Sequence, residues 1–222
     1  MLNAGLTEEA GTADGEAEGD ADILSIDLRS EFDHLFSGDL GLANNVVHKV
    51  HLKPNVTPVA AKLRRLPLTL RDKVSEELPN LETKGVIERV DVSMWISPTV
   101  VVQKPNETIR LCVDLRAPNQ ATVVDAYPLP CVEELLNSLA GARYFSKLDL
   151  TSAYHQVELS PESRSLTTFI THEGLFRFKR VGFGLASAPS VFQKLMANLL
   201  NGCKGVLVYL DDIVRAHRTR AP

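Results

Sequence analysis

Two adjacent carboxylates inside an apolar run constrain this chain more than any other feature. The segment VLVYLDDIV at residues 206–214 has the composition of a buried strand, yet it contains Asp211 and Asp212. Ionised carboxylates in such a segment are costly unless something neutralises them. One solution is the exposed tip of a β-hairpin, where short acidic side chains face water. The other is a divalent cation, because Mg²⁺ prefers hard oxygen ligands.

A third carboxylate stands near the end of another apolar segment. Asp149 is the sixth residue of YFSKLDL, which spans residues 144–150 and is predicted to be a strand. If this strand pairs with the segment around Asp211, three carboxylates meet at one edge of a sheet. Such a group can form a two-metal site, which activates an attacking oxygen and stabilises a leaving group. The alternative is that Asp149 only caps the short segment that follows it.

An aromatic residue and a small-residue loop have the chemistry to contact a nucleotide. Tyr154 follows five residues after Asp149 and could pack flat against a sugar ring. The loop FGLASAP would allow Phe183 and Gly184 to lie close to a base or ribose. The alternative is an ordinary core aromatic and a tight loop that leads into a helix.

Two basic residues flank a predicted hairpin turn at Pro105-Asn106-Glu107. Lys104 precedes this turn and Arg110 follows it, and both could reach triphosphate oxygens. Arginine is suited to this role because its guanidinium donates two parallel hydrogen bonds. The alternative is that both are solvated residues of a surface hairpin.

The net charge of −4 conceals an uneven distribution. Residues 1–22 contain seven acidic residues and no Lys or Arg, so the remainder of the chain carries a net charge of +3. We expect this acidic head to be disordered. Positive charge gathers at residues 62–73, 177–180 and 215–220, which is compatible with a nucleic-acid partner.

Hydrophobic periodicity predicts short strands and helices without a strict βαβ rhythm, which indicates the α+β class. Helices are predicted at residues 24–37, 70–81, 132–141 and 188–200. Strands are predicted at residues 46–52, 86–90, 98–104, 108–115, 144–150 and 205–210, with a further strand pair around residues 171–174. Pro79 is expected to kink or end the second helix.

Five segments, taken in order, resemble the reverse transcriptase domain of gypsy-type LTR retrotransposon polyproteins. The resemblance covers residues 28–214. The segments are PVAAKLRRLPLTLRDKVSEEL, GVIERVDVSMWISPTVVVQKP, IRLCVDLRAPNQATVVDAYPLP, FSKLDLTSAYHQVELSPESRSLTTFITHEGLFRFKRVGFGLASAPSVFQKLM and VYLDD.

The resemblance implies a right-hand polymerase with fingers and palm subdomains and with the thumb absent. The expected organisation is a disordered acidic head at 1–22, an N-terminal helix and extended connector at 23–68, the fingers and palm at 69–214, and an aberrant basic tail at 215–222. We further expect the strand that carries Asp211 and Asp212 to lack most of its hairpin partner.

The resemblance also implies roles for the acidic residues. Asp149 and Asp211 match the family's metal-binding aspartates, and Asp212 completes the catalytic triad. The backbone carbonyl of Leu150 matches an additional metal ligand. The expected cofactor is Mg²⁺, with Mn²⁺ as an alternative.

The remaining roles concern the incoming nucleotide. Tyr154 matches the steric gate against a ribose 2′-hydroxyl, and Arg110 matches the arginine that holds the triphosphate. Phe183 lies where the family contacts the new base pair and the primer end, next to Gly184. Lys104 is a weaker match to the basic fingertip.

The function implied is RNA-directed DNA polymerase activity of a retrotransposon domain. The expected partners are an RNA or DNA template with its primer and deoxynucleoside triphosphates, with no membrane and with the thumb, connection and RNase H regions of the parent polyprotein missing. The expected location is intracellular, in the cytoplasm or a particle, with the nucleus as an alternative. We expect little activity from the chain alone. The alternative is a non-catalytic retroelement remnant that acts at most as a nucleic-acid-binding or interaction module.

Overall fold

The computed structural model describes residues 4–5, 28–103, 105, 108–124 and 127–217. The chain divides into two compact units. The first unit comprises residues 1–41, 127–153 and 192–222, and the second comprises residues 42–126 and 154–191.

Helices and strands are interspersed along the described residues, and the predicted α+β class is confirmed. The α-helices are α1 (Leu28–Glu31), α2 (Leu68–Thr83), α3 (Arg116–Ala121), α4 (Val132–Ser138), α5 (Pro161–Arg164) and α6 (Ala188–Leu199). Short 3₁₀ helices span Asp33–Leu35, Ala153–Gln156 and Ser165–Thr167. The strands are β1 (Ala4–Gly5), β2 (Val47–His48), β3 (His51–Leu52), β4 (Ile87–Val90), β5 (Ser97–Gln103), β6 (Ile109–Val113), β7 (Thr122–Val123), β8 (Tyr144–Leu150), β9 (Glu158–Leu159), β10 (Phe169–Thr171), β11 (Gly174–Phe178), β12 (Val206–Tyr209) and β13 (Asp212–His217).

The sheet of the first unit has the strand order β1-β8-β13-β12. Strands β12 and β13 form an antiparallel hairpin, and all six residues of β13 also pair with β8. The expectation that the strand carrying the acidic pair lacks most of its hairpin partner is therefore wrong. Ile213 is buried and anchors β13, whereas Arg215 is exposed, so a basic residue in the strand does not prevent pairing.

The main sheet of the second unit has the strand order β4-β11-β10-β5-β6. Strands β10 and β5 pair in parallel, and the other neighbours are antiparallel. The predicted hairpins β5–β6 and β10–β11 are confirmed. Phe169 and Phe176 are fully buried and stack with their ring centroids 5.9 Å apart. These aromatic residues are part of the core beneath the sheet.

Helix α2 is the longest of the described helices, and none of these is long and apolar enough to cross a membrane. Val74 and Leu78 are completely buried, as the helical spacing predicts. The helix continues four residues past Pro79, so the predicted early end is wrong, while the alternative of a kink stays a prediction. Pro79 is exposed, and its ring removes one helical hydrogen bond without ending the helix.

Two elements near the N-terminus are shorter than predicted. The helix expected at residues 24–37 is reduced, within the described residues, to α1 and one 3₁₀ turn. The strand expected at residues 46–52 is divided into β2 and β3, which pair with β9 and β7. The division occurs where the backbone N–H of Val50 donates to Oγ of Ser163 instead of to a strand.

Candidate active site

The three predicted carboxylates lie together in the sheet of the first unit. Asp149, the penultimate residue of β8, stands directly opposite Asp212, the first residue of β13. Asp211 occupies the turn that joins β12 to β13. Directly opposed residues of an antiparallel pair have Cβ atoms about 4.5–5.5 Å apart. All three side chains are partly exposed. We call these three residues the acidic cluster.

The acidic cluster is electrostatically unfavourable without a cation. Burial raises the pKa of the Asp149 carboxyl, and the carboxylates of Asp211 and Asp212 raise it further. The ammonium group of Lys147 acts in the opposite direction. The folded protein therefore holds ionised Asp149 at an energetic cost. Perturbed carboxyl groups of this kind are common at functional sites.

The turn that carries Asp211 has an unfavourable backbone conformation. Leu210 has a φ of 55°, in the left-handed region that costs a residue with a side chain about 1–2 kcal/mol. Gln193 of α6 holds this turn from two sides. Its Oε1 accepts from the N–H of Leu210 at 2.7 Å, and its Nε2 donates to the carbonyl of Val208 at 3.2 Å. One buried amide therefore fixes the backbone next to Asp211.

Gln193 is not among the residues predicted from the sequence. A signal was nevertheless present, because Gln193 falls on the apolar face of an amphipathic helix. Its neighbours Phe192 and Met196 are buried, and Gln193 itself is only 3% exposed. A polar side chain in such a position requires hydrogen-bond partners, and the sequence alone does not show which backbone groups supply them.

The donor set of the acidic cluster suits a hard divalent cation. Leu150, the last residue of β8, has a buried side chain and a backbone carbonyl adjacent to Asp149. Within the described part of the chain, however, no three His, Cys, Asp or Glu side chains are gathered so that they could hold a metal ion. The chemistry of the ligands fits, while their side chains are not closed around one point. Asp212 is engaged in an ion pair with Lys147.

Three of the predicted nucleotide-binding residues meet in the second unit. The guanidinium carbon of Arg110 lies over the ring of Phe183, 4.7 Å from its centroid. Tyr154 meets the same ring edge-on, at a centroid distance of 5.2 Å. A cation–π contact at an exposed site is worth about 0.5–1 kcal/mol, and Arg110 is exposed on β6. Lys104 lies outside the described residues.

The loop that contains Gly184 is held by an amide side chain. Gly184 has a φ of 88°, a conformation that favours glycine. Nδ2 of Asn119 donates to the carbonyl of Gly184 at 2.8 Å, and Oδ1 of Asn119 accepts from the N–H of Ala186 at 2.9 Å. Sequence reasoning assigned no role to Asn119. Its function depends on a contact between residues that are far apart in the chain.

A buried histidine packs against this aromatic group. The ring of His155 is 5.0 Å from that of Phe183 and 6.0 Å from that of Phe178. Burial above all, with the charges of Arg180 and Arg110, lowers the pKa of His155 to about 4. Its Nε2 atom is buried and has no hydrogen-bond partner among the described residues. The imidazole is therefore neutral near pH 7 and serves as a packing residue.

Two arginines of the second unit share one carboxylate. Arg116 and Arg64 approach Oδ2 of Asp114 at 2.7 and 3.0 Å. Hydrogen bonds from Arg116 above all, and from Arg64, hold the pKa of Asp114 well below its usual range. Both arginine side chains remain substantially exposed.

Comparison with known protein families shows to which family the chain belongs. The model of the family described as "Reverse transcriptase (RNA-dependent DNA polymerase)" matches residues 102–221, more than half of the chain. The chain belongs to the reverse transcriptase family.

Similar relatives of this reverse transcriptase chain include two retrovirus-related Pol polyproteins of Drosophila melanogaster. The polyprotein from transposon opus is 34% identical over 206 residues, which are 89% of this chain and 20% of that protein. The polyprotein from transposon gypsy is 35% identical over 165 residues, which are 71% of this chain and 16% of that protein. The resemblance to gypsy-type polyproteins is confirmed. The chain spans a fifth or less of the length of these relatives.

A solved structure confirms the fold expected for a reverse transcriptase. The foamy viral protease-reverse transcriptase in complex with an RNA/DNA hybrid matches with a TM-score of 0.70. The match covers 86% of this chain and 27% of that chain, at 21% identity. At this level of identity the likeness shows the fold alone, and it supports the predicted fingers and palm.

The predicted ends of the reverse transcriptase region are only partly described. Of the expected acidic head at 1–22, the structure describes β1, whose Gly5 pairs with Asp149. Residues 215–217 of the expected basic tail belong to β13, and the remainder lies outside the described residues. The family match continues through residue 221. The boundaries at 22, 68 and 214 stay predictions.

Proposed function

We propose that this chain supplies the polymerase centre of a retrotransposon Pol polyprotein. The reaction is RNA-directed DNA synthesis, in which a primer is extended on an RNA or DNA template with deoxynucleoside triphosphates. One observation carries the proposal: Asp149 and Asp212 oppose each other across paired strands, with Asp211 in the adjoining turn. In a chain of this family, that arrangement is the expected place of the reaction.

The acidic cluster is the proposed binding site of Mg²⁺, or alternatively of Mn²⁺. Asp149 and Asp211 would be the principal ligands, with Asp212 and the carbonyl of Leu150 as further oxygen donors. A bound divalent cation there supplies activation of an attacking oxygen and charge neutralisation of a leaving group. The chain itself contributes the rigid strand pair and the hydrogen bonds of Gln193, which hold the carboxylates in position.

The second unit is proposed to bind the incoming nucleotide. Arg110 donates to the triphosphate, and its contact with Phe183 restricts the guanidinium before the ligand arrives. Tyr154 excludes a ribose 2′-hydroxyl, while the Phe183–Gly184 segment lies against the base pair and sugar. Lys104 is proposed as a second triphosphate contact.

The proposed macromolecular partner is a template–primer duplex. A foamy viral relative in fold has been solved with an RNA/DNA hybrid, and the exposed Arg64 and Arg116 provide guanidinium groups for a phosphate backbone. The proposed location is the cytoplasm or a retroelement particle, with the nucleus as an alternative. We expect the 222-residue chain alone to add nucleotides without processivity.

The test is addition of a single deoxynucleotide to a primer annealed to an RNA template. Protein in excess and low salt ensure that weak binding does not limit the reaction. We expect addition of the nucleotide that complements each of the four template bases, and a loss on the order of a hundredfold or more in Asp211→Asn, because a metal ligand is removed.

Asp91→Asn is the matched control, since Asp91 is an exposed carboxylate of the second unit. It should retain the parental rate. Equal rates in the parent and in Asp211→Asn, or addition that ignores the template base, would contradict the proposed function. If every variant binds the hybrid and none adds a nucleotide, the chain is a binding module.

A further inference from the structure

We propose that Lys147 is the internal counter-ion of the acidic cluster, and that a divalent cation must displace it from Asp212 in order to bind. The inference rests on the proposed function insofar as the acidic cluster is taken to hold the cation. It adds a residue whose positive charge opposes metal binding.

The register of the sheet brings Lys147 to the acidic cluster. Lys147 precedes Asp149 by two residues in β8, so both side chains point to the same face of the sheet. Across the strand pair, Val214 stands opposite Lys147 and Asp212 stands opposite Asp149. Lys147 and Asp212 are therefore diagonal neighbours, within reach of a long side chain.

The side chains make this contact directly. Nζ of Lys147 lies 3.1 Å from Oδ1 of Asp212. The exposed fractions are 55% for the Lys147 side chain and 44% for that of Asp212. A half-exposed pair of this kind is weak, so a divalent cation can break it. The pair nevertheless involves a specific atom, Oδ1 of Asp212, which belongs to a proposed metal ligand.

The ion pair engages one member of the acidic cluster and so opposes closure of the three carboxylates around a cation. In the described part of the chain the three carboxylates are not gathered around one point. An ammonium group 3.1 Å from Oδ1 of Asp212 competes with a divalent cation for that carboxylate, because the two positive charges repel each other. We therefore expect Asp212 to become a metal ligand as Lys147 moves away from it.

Removal of the lysine charge should therefore strengthen metal binding. Mn²⁺ affinity of the 222-residue chain can be measured by electron paramagnetic resonance, without nucleotide or nucleic acid. We expect Lys147→Met to bind Mn²⁺ more tightly by on the order of tenfold at low salt, with a smaller gain at high salt. Lys147→Arg, which keeps the charge, should bind as the parent does.

Arg215→Met is the matched control. Arg215 is exposed on β13 opposite Ser146, so its side chain lies on the other face of the sheet from Lys147. It removes the same charge from the same strand pair and should change Mn²⁺ affinity much less. Equal gains in Arg215→Met and Lys147→Met would show a general charge effect and overturn the inference, as would an unchanged affinity in Lys147→Met.

A double-mutant cycle separates this inference from the proposed function. Lys147→Met, Asp212→Asn and the double variant are unfolded with urea, once in EDTA and once in saturating Mn²⁺. We expect the two sites to be coupled in EDTA and independent in Mn²⁺. If the chain binds Mn²⁺ but Lys147 and Asp212 are not coupled in EDTA, the role of Lys147 is overturned and the proposed metal site stands. Coupling in EDTA with no Mn²⁺ binding by any variant overturns the proposed metal site, and the displacement with it.

Discussion

The buried amide of Gln193 should be needed for the stability of the first unit and for the geometry of the turn at Asp211. Gln193→Met retains the length of the side chain and removes both hydrogen bonds. The N–H of Leu210 and the carbonyl of Val208 then lose their partners at 2.7 and 3.2 Å. An unsatisfied buried polar group costs about 1–3 kcal/mol. Because the turn is only partly buried, we expect a total loss of about 2–4 kcal/mol in the free energy of unfolding.

The same substitution should reduce catalysis in molecules that remain folded. Without the amide, Leu210 is free to leave its left-handed conformation, and Asp211 moves with it. A displacement of about 1 Å at a reacting centre can cost on the order of a hundredfold in rate. The assays are urea unfolding and single-nucleotide addition on an RNA template at a temperature where the variant is folded.

Asn198→Met provides the control, because Asn198 is exposed on the same helix. Asn198→Met should change neither the free energy of unfolding nor the rate of single-nucleotide addition appreciably. A Gln193→Met variant within about 0.5 kcal/mol of the parent would refute the hydrogen-bond argument. A large loss of stability with the parental rate would show that the amide supports the fold and does not position Asp211.

Three further predictions concern single residues. Tyr154→Ala or Tyr154→Val should admit ribonucleotides that the parent rejects, because the clash with a 2′-hydroxyl is removed; an unchanged deoxy-to-ribonucleotide ratio would make Tyr154 a core residue. The pKa of His155 is lowered from 6.5 in the unfolded chain to about 4 in the folded protein. As the pH falls below 6.5, the imidazole is therefore protonated in the unfolded chain before it is protonated in the folded protein. The free energy of unfolding should fall by about 3 kcal/mol between pH 6.5 and pH 4. Urea titrations of the parent and of His155→Phe should differ in this interval, with His51→Phe at an exposed site as the control; parallel pH profiles for the parent and His155→Phe would contradict the burial argument. The pKa of Asp149 is raised, so the stability contributed by its protonated form is lost as the pH rises through that pKa. Asp149→Asn removes the charge and should raise the melting temperature in EDTA at neutral pH. A lower melting temperature of Asp149→Asn than of the parent in EDTA would contradict this prediction.

The residues of the acidic cluster were predictable because their chemistry conflicts with their surroundings. Carboxylates inside apolar strands are unfavourable without a neutralising group, and the order of the surrounding segments is enough to indicate the family. The structure pairs Asp149 with Asp212 of β13, whereas the strand patterns suggested that β8 pairs with the segment leading into Asp211, which is β12 and is not a neighbour of β8. The contact of Arg110 with Phe183 could not be read from the sequence, because it joins residues 73 positions apart.

The supporting hydrogen bonds were not predictable for a related reason. Gln193 and Asn119 act on backbone groups that are distant in the chain, and an amide carries no local signature of its partners. The error at β13 has a different cause. Basic residues near a chain end suggested an irregular tail, whereas the buried Ile213 and pairing on both sides outweigh one exposed Arg215.

The central claim is that the acidic cluster holds the cation of a reverse transcriptase, and Asp211→Cys tests it most directly. A thiolate is a poor ligand for Mg²⁺ and a good one for softer metals such as Cd²⁺. The account predicts that single-nucleotide addition on an RNA template is lost in Mg²⁺ and partly recovered when Cd²⁺ is added, while Asp211→Asn shows no recovery. Addition by Asp211→Cys at the parental rate in Mg²⁺ would contradict the account, because Asp211 would then not be a metal ligand.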